Sequence, residues 1–157
     1  MSSEGSGYII RNPDFFASNY SSSKSTVGEP YLTFSVAPAD KSLSSLVDSH
    51  LRKVIAPKKV INGLNVTAES FYSSQGRIDD SFDDNNLQVI DTILSKYPSA
   101  LTLEMESFML LHLAKCCRIP IYATAAGKAV CYELFTPINN YFCTLQQLLW
   151  PTEKQPR

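Results

Sequence analysis

Phe71, Gln75 and Arg77 place an aromatic plate, an amide and a guanidinium within seven consecutive positions, Phe71-Tyr72-Ser73-Ser74-Gln75-Gly76-Arg77. An aromatic face stacks on a flat ring. An amide both donates and accepts hydrogen bonds, and a guanidinium donates through a planar fork. That set suits a heterocyclic base with carbonyl and imide edges, such as uracil. About thirty residues later, Leu103-Glu104-Met105-Glu106-Ser107 sets two carboxylates around a thioether. A carboxylate such as Glu106 suits a pair of ribose hydroxyls. Together the two segments point to a pocket for a base joined to a sugar.

The surrounding pattern is that of an α/β domain. Pro38-Ala39-Asp40 opens an amphipathic helix, in which Leu43, Leu46, Val47, His50, Leu51 and Val54 recur at three- and four-residue spacing and Pro57 follows the end. Lys59 to Thr67 reads as one or two strands around Asn62-Gly63, and delivers the Phe71 segment to a loop. Asp83-Asp84-Asn85 offers N-caps for a second helix. Its expected buried stripe is Leu87, Ile90, Leu94 and Tyr97, broadened by Val89 and Ile93, and Pro98 stops it. A strand over Ala100–Leu103, a helix from Met105 to Cys117 carrying Phe108, Leu111 and Ala114, and a buried strand over Pro120–Ala126 complete the alternation. Strands alternating with helices predict a sheet with helices on its faces, whose ligands sit beyond the carboxyl ends of the strands. Both motifs fall at such ends, which argues for one shared site.

Composition narrows the class. With 44% hydrophobic and 18% charged residues, the 157-residue chain reads as a soluble domain with a real core. A net charge of -1 gives no electrostatic argument for nucleic acid or an anionic membrane. No apolar run reaches the roughly 18 residues of a membrane span. Met1-Ser2-Ser3-Glu4-Gly5 lacks the basic-then-apolar order of a signal peptide, so cytosol is the expected compartment and the Asn65-Val66-Thr67 sequon is silent.

Cys116, Cys117, Cys131 and Cys143 show no Cys-x-x-Cys spacing, and the histidines, His50 and His112, are taken as structural and apart from them. Buried free thiols and no metal are the expectation. Asp79, Asp80, Asp83 and Asp84 read as capping and solvated carboxylates. Ser21–Thr26 reads as a polar loop, and Thr136 onward as a separate tail in which Cys143–Trp150 forms a helix or docks poorly.

The pattern Phe-Tyr-x-x-Gln-x-Arg followed by Glu-Met-Glu-Ser resembles the uridine phosphorylase branch of the nucleoside phosphorylases, most like the purine/uridine phosphorylases of fungi and related eukaryotes. The similarity runs from Gly5-Ser6-Gly7-Tyr8 and Arg11-Asn12-Pro13-Asp14, through Glu29-Pro30-Tyr31, to about Ala126. It implies a three-layer α/β sandwich with a central mixed sheet, cut at its N-terminal half. Residues 1–135 would be the partial domain and 136–157 a divergent tail. The implied activity is phosphorolysis of uridine or a related nucleoside to free base and ribose 1-phosphate, with inorganic phosphate as co-substrate and no other cofactor. Gln75 and Arg77 match the residues that hold the uracil edge and act on the leaving base. Phe71 matches the aromatic against the base, Met105 lines sugar and base, Glu106 accepts from ribose hydroxyls, and Glu104 lies next to the base.

The same resemblance implies a homo-oligomer with sites completed across an interface. Purine-preferring relatives place an Asp or Asn near the positions of Ala126 to Val130, which hold neither. No glycine-rich phosphate loop stands near a strand end, Gly5-Ser6-Gly7 having no strand before it. A non-catalytic remnant that binds a nucleoside or other proteins is the alternative, and a hydrolase with water replacing phosphate is a third. An interrupted sheet would expose an edge and an apolar face, and with them instability.

Overall fold

The structure is a computed structural model that describes residues 1–18, 28–57, 59–81, 83–131 and 143–147. In chain order the elements are β1 (Gly5–Arg11), α1 (Pro13–Ser18), β2 (Tyr31–Ala37), α2 (Lys41–Val54), β3 (Leu64–Ala68), a 3-10 turn (Ser73–Gln75), α3 (Val89–Lys96), β4 (Ala100–Glu104), α4 (Ser107–Cys116), β5 (Gly127–Cys131) and β6 (Cys143–Gln147). The described strands form one mixed sheet in the order β2-β1-β3-β4-β6-β5. Strands β1, β3, β4 and β6 run parallel, while β2 and β5 are antiparallel to their neighbours.

Alternation along the strands divides the sheet into two chemically different faces. Ile9, Leu64, Val66, Ala68 and Leu103 form the main core with Val89, Ile93 and Tyr97 around α3, joined by Tyr31 and the half-buried Phe16 of α1. The opposite face carries Tyr8, Asn65, Thr67 and Glu104. There α4 covers the sheet, with Phe108 stacked on Tyr8 at 4.8 Å and its backbone N–H bonded to Thr67 Oγ1 at 2.8 Å. A smaller cluster of Ala37, Ala39 and Leu111 extends this second layer toward Ala123.

Tyr97 links α3 to the sheet at one irregular point. The β1–β2 register shifts between Ser6 and Tyr8. The Tyr97 hydroxyl enters there, accepting from the Phe34 N–H at 3.0 Å and donating to a carbonyl of the same strands. Gly7 makes this possible, since a Cβ there would lie 2.7 Å from the Tyr97 ring.

Several expectations are corrected. The segment Pro120–Ala126 is not a strand, and Ile121 and Tyr122 are exposed. The edge of β4 is occupied by β6 instead, so the segment has no ladder to join. It is held by Asp40 N–H on the Ala123 carbonyl and Ser2 N–H on the Ala125 carbonyl. Cys143–Gln147 is a strand and not the start of a helix, and 148–150 lie outside the described residues. Residues 59–63 are irregular, and pairing begins at Leu64.

Helix α3 starts later than Asp83–Asn85 suggests. Asn85 takes a left-handed φ of 58°, Gln88 occupies the N-cap, and Leu87 is exposed, whereas Val89, Ile93 and Tyr97 are buried. Helix α2 is capped as expected, with Asp40 Oδ1 accepting from the Leu43 N–H at 2.7 Å. It does not bury its apolar stripe. Ser44 is its buried residue, hydrogen-bonded to Thr124 at 2.7 Å, and Leu46 and Val54 face outward. The Ser21–Thr26 loop, the 135/136 boundary and most of the tail lie outside the described residues.

Candidate functional site

Strand β3 and strand β4 are parallel neighbours, with Val66 opposite Leu103 and Thr67 opposite Glu104. The Phe71–Arg77 loop leaves the carboxyl end of β3, and the Met105–Glu106 turn leaves the carboxyl end of β4. Adjacent strands stand about 4.8 Å apart, so the two motifs are brought to one rim of the sheet.

Within the loop, the 3-10 turn buries Ser73, Ser74 and Gln75 and leaves Phe71 and Tyr72 exposed. Ser70 Oγ accepts from the Ser74 N–H at 2.9 Å, and Ser73 donates to the Asp84 carboxylate. Gly76 then takes φ 67°, the left-handed region that a side chain disfavours. This reversal folds Arg77 back over Phe71, its guanidinium carbon 4.0 Å from the ring centroid. Arg77 Nε donates to the Phe71 carbonyl at 2.9 Å, and a terminal guanidinium nitrogen lies 3.5 Å from Gln75 Oε1. The three residues singled out for base recognition therefore form one contact unit.

The second motif splits into two roles. Glu104 is 2% exposed. One of its oxygens accepts from Asn65 Nδ2 and the Thr67 hydroxyl, and the other accepts from the backbone N–H groups of Glu106 and Ser107 at 2.7 Å each. With both oxygens engaged, Glu104 ties β3 and β4 to the first turn of α4, where a carboxylate also complements the helix dipole. Met105 and Glu106 project outward from the turn so fixed. Glu106 Oε2 accepts from the Met105 N–H at 3.1 Å. Partial burial, followed by the neighbouring Glu104, raises the Glu106 carboxyl above its usual value.

Sequence reasoning missed the supports of Glu104. Asn65 bonds Ser6 Oγ at 3.0 Å and accepts from Thr102 Oγ1 at 2.8 Å, and Ser6 lies 2.9 Å from Thr67 Oγ1. The signal was present in β3, where buried Asn65 and Thr67 alternate with Leu64, Val66 and Ala68. It also missed Arg11, at the end of β1 on the same rim. Glu69 Oε2 accepts from the Arg11 backbone N–H at 3.0 Å and Nε at 3.3 Å. Burial alone would raise the Glu69 carboxyl, but these Arg11 contacts outweigh it and hold it below the usual range.

The remaining candidates stand apart from the rim. Asp79 and Asp83 close Asx turns on the N–H groups of Ser81 and Asn85, each at 2.8 Å. His50 lies on exposed α2, with Nδ1 2.9 Å from the Leu46 carbonyl. Cys116 and Cys117 are exposed, which corrects the expectation of buried thiols. Nor are the histidines and cysteines all separate, since His112 sits one turn before Cys116. Among the described residues no group of three or more His, Cys, Asp or Glu could hold a metal, and no helix is long and apolar enough to cross a membrane.

Residues 7–129 match the family described as the Phosphorylase superfamily. A solved structure from a study of two diverse uridine phosphorylases in the oomycete Phytophthora capsici is similar at 34% identity, with a TM-score of 0.65. The likeness covers 77% of this chain and 45% of that one, so the chain spans less than half the length of that relative. No curated protein matches.

Proposed function

Because this chain belongs to the phosphorylase superfamily, we propose that its rim site takes uridine or a related nucleoside and supports phosphorolysis to free base and ribose 1-phosphate. The observation that supports this reading is the parallel pairing of β3 and β4, with Thr67 opposite Glu104 at the strand ends from which the Phe71–Arg77 loop and the Met105–Glu106 turn leave.

In such a reaction the sugar gains oxocarbenium character as the base departs with negative charge. Donors placed beforehand at the base edge stabilise that charge. Gln75 and Arg77 supply them, and Phe71 supplies the stacking face. Met105 lines the sugar and base, and Glu106 accepts from the ribose hydroxyls. Glu104 acts through its neighbours, holding the turn that presents Met105 and Glu106. Phosphate is the nucleophile, and cytosol is the proposed compartment. A homo-oligomer would complete the site, in keeping with the resemblance.

The test is release of uracil from uridine by the purified chain, with and without inorganic phosphate. Phosphate-dependent release supports the phosphorylase reading, and release independent of phosphate would replace it with hydrolysis. Replacing Arg77 by Ala should cost turnover about 1.5–3 kcal/mol in transition-state stabilisation, the worth of a charge-assisted hydrogen bond. Unchanged kcat/KM in that variant would remove Arg77 from base recognition.

The second reading is a nucleoside binder without turnover. Uridine binding by calorimetry that depends on Arg77, with no uracil released by folded protein, would select it.

A further inference from the structure

Asn86 is a buried amide, 5% exposed, in the turn that leads into α3. A buried amide is costly unless its groups are hydrogen-bonded. Its Nδ2 donates to the Arg77 carbonyl at 2.6 Å. Its own carbonyl accepts from the N–H of Val89, the first residue of α3, at 3.1 Å. Val89 and Ile93 of that helix are buried in the main core. One side chain thus ties the backbone of Arg77 to the packed layer beneath the rim.

Arg77 is also held from within its own loop. Its N–H donates to the Tyr72 carbonyl at 3.0 Å, and its Nε donates to the Phe71 carbonyl at 2.9 Å. Those two bonds move with the loop, whereas the bond from Asn86 comes from outside it. Asp84 does the same at the other end of the 3-10 turn. Its carboxylate accepts from the Ser73 hydroxyl, and its carbonyl accepts from the Tyr31 hydroxyl at 3.0 Å. Residues 84 and 86 reach one loop because the chain bends between them. Asn85 takes φ 58°, and its N–H donates to Asp83 Oδ1 at 2.8 Å. The stretch that buries Gln75 is therefore fastened at both ends by a single turn.

Resting on the reading of the rim as a nucleoside site, we propose that Asn86 is a positioning residue, which holds the Arg77 backbone so that the guanidinium meets the edge of the base. A donor stabilises charge on a departing base only where it already stands in place, and a small displacement is costly. Asn86 contacts neither base nor sugar, and its effect passes through Arg77. Removing its amide leaves the Arg77 carbonyl without this partner and frees the end of the loop from α3. The loss in turnover falls only on a chain that still carries the Arg77 side chain.

The test compares Asn86→Ala with the parent full chain in amide hydrogen exchange and in uridine kinetics. Gly76 and Arg77 are the reporters, since their N–H groups close the loop on the Ser73 and Tyr72 carbonyls. The expected result is exchange about tenfold or more faster at both, with the β3 amides unchanged. kcat/KM for uridine should fall about tenfold or more, and Arg77→Ala combined with Asn86→Ala should be no slower than Arg77→Ala alone. A merely structural role would speed exchange in the loop and β3 alike, or add its loss to that of Arg77→Ala. Either result, or unchanged exchange at both reporters, overturns the proposal. Asn86→Asp keeps the shape without the donor and carries the same comparisons if Asn86→Ala does not fold. A parent that neither binds nor cleaves uridine removes the nucleoside reading, and the exchange comparison still decides whether Asn86 holds Arg77.

Discussion

Glu104 and Glu106 are two residues apart and do different work. Glu104 has four donors on its two oxygens, so one partner set cannot be changed without leaving a buried group unpaired. Glu104→Gln puts an amide N–H₂ against donors and should destabilise the fold by about 1–3 kcal/mol in a denaturant titration. A smaller loss would mean the network is not holding the turn. Glu106 has a raised carboxyl pKa and is expected to serve as an acceptor, which requires its ionised form. Nucleoside affinity should therefore fall as pH drops through a window above the usual carboxylate value of 4.5. Glu106→Gln should flatten that profile, and a profile identical in the variant would reject the assignment. Stability runs the other way. A raised folded pKa means the native state holds the proton more tightly, so this group's contribution is present at low pH and lost as pH rises through the folded value.

At the scale of elements, the sheet and α3 are joined by a polar contact inside an otherwise apolar layer. The Tyr97 hydroxyl faces the Tyr8 and Phe34 backbone at the β1–β2 irregularity. Tyr97→Phe keeps the ring against Gly7 but strips the hydroxyl, leaving backbone groups without their partner. A loss of about 1–3 kcal/mol is expected, together with faster amide exchange at Phe34. Unaltered exchange there would show the strands pair without it. Helix α2 teaches a different lesson. Its Leu46-Val47-His50-Leu51-Val54 stripe presents an open apolar surface. Periodicity of 3.6 states that a helix has an apolar face, and is silent on what covers it.

Among the described residues, α1 and α3 pack on one face of the β1–β3–β4 part of the sheet and α4 on the other, while α2 and α4 leave apolar side chains exposed. Leu46 and Val54 of α2 and Leu113 of α4 are 56%, 80% and 63% exposed. Surfaces of this kind promote association or marginal stability. The chain should melt broadly, with a midpoint that depends on protein concentration, and uridine should raise it by preferential binding to the native state. A sharp, high-temperature, concentration-independent transition of a monomer would contradict this.

The sequence by itself determined which side-chain types stand in the two rim segments, and most of the alternation of strands and helices around them. Side-chain types are local facts, and the Phe71–Arg77 and Glu104–Ser107 strings carry their functional groups wherever the chain puts them. The strand periods of β3 and β4 were also local, so their carboxyl ends could be placed. Only the tertiary structure decided that β3 and β4 are neighbours, that β6 takes the β4 edge in place of Pro120–Ala126, and that Glu104 is a buried support while Glu106 is open. It also turned the α2 stripe outward and set His112 against Cys116. Each of these depends on which distant segments compete for the same backbone donors and the same apolar face, and that competition is settled by non-local pairing.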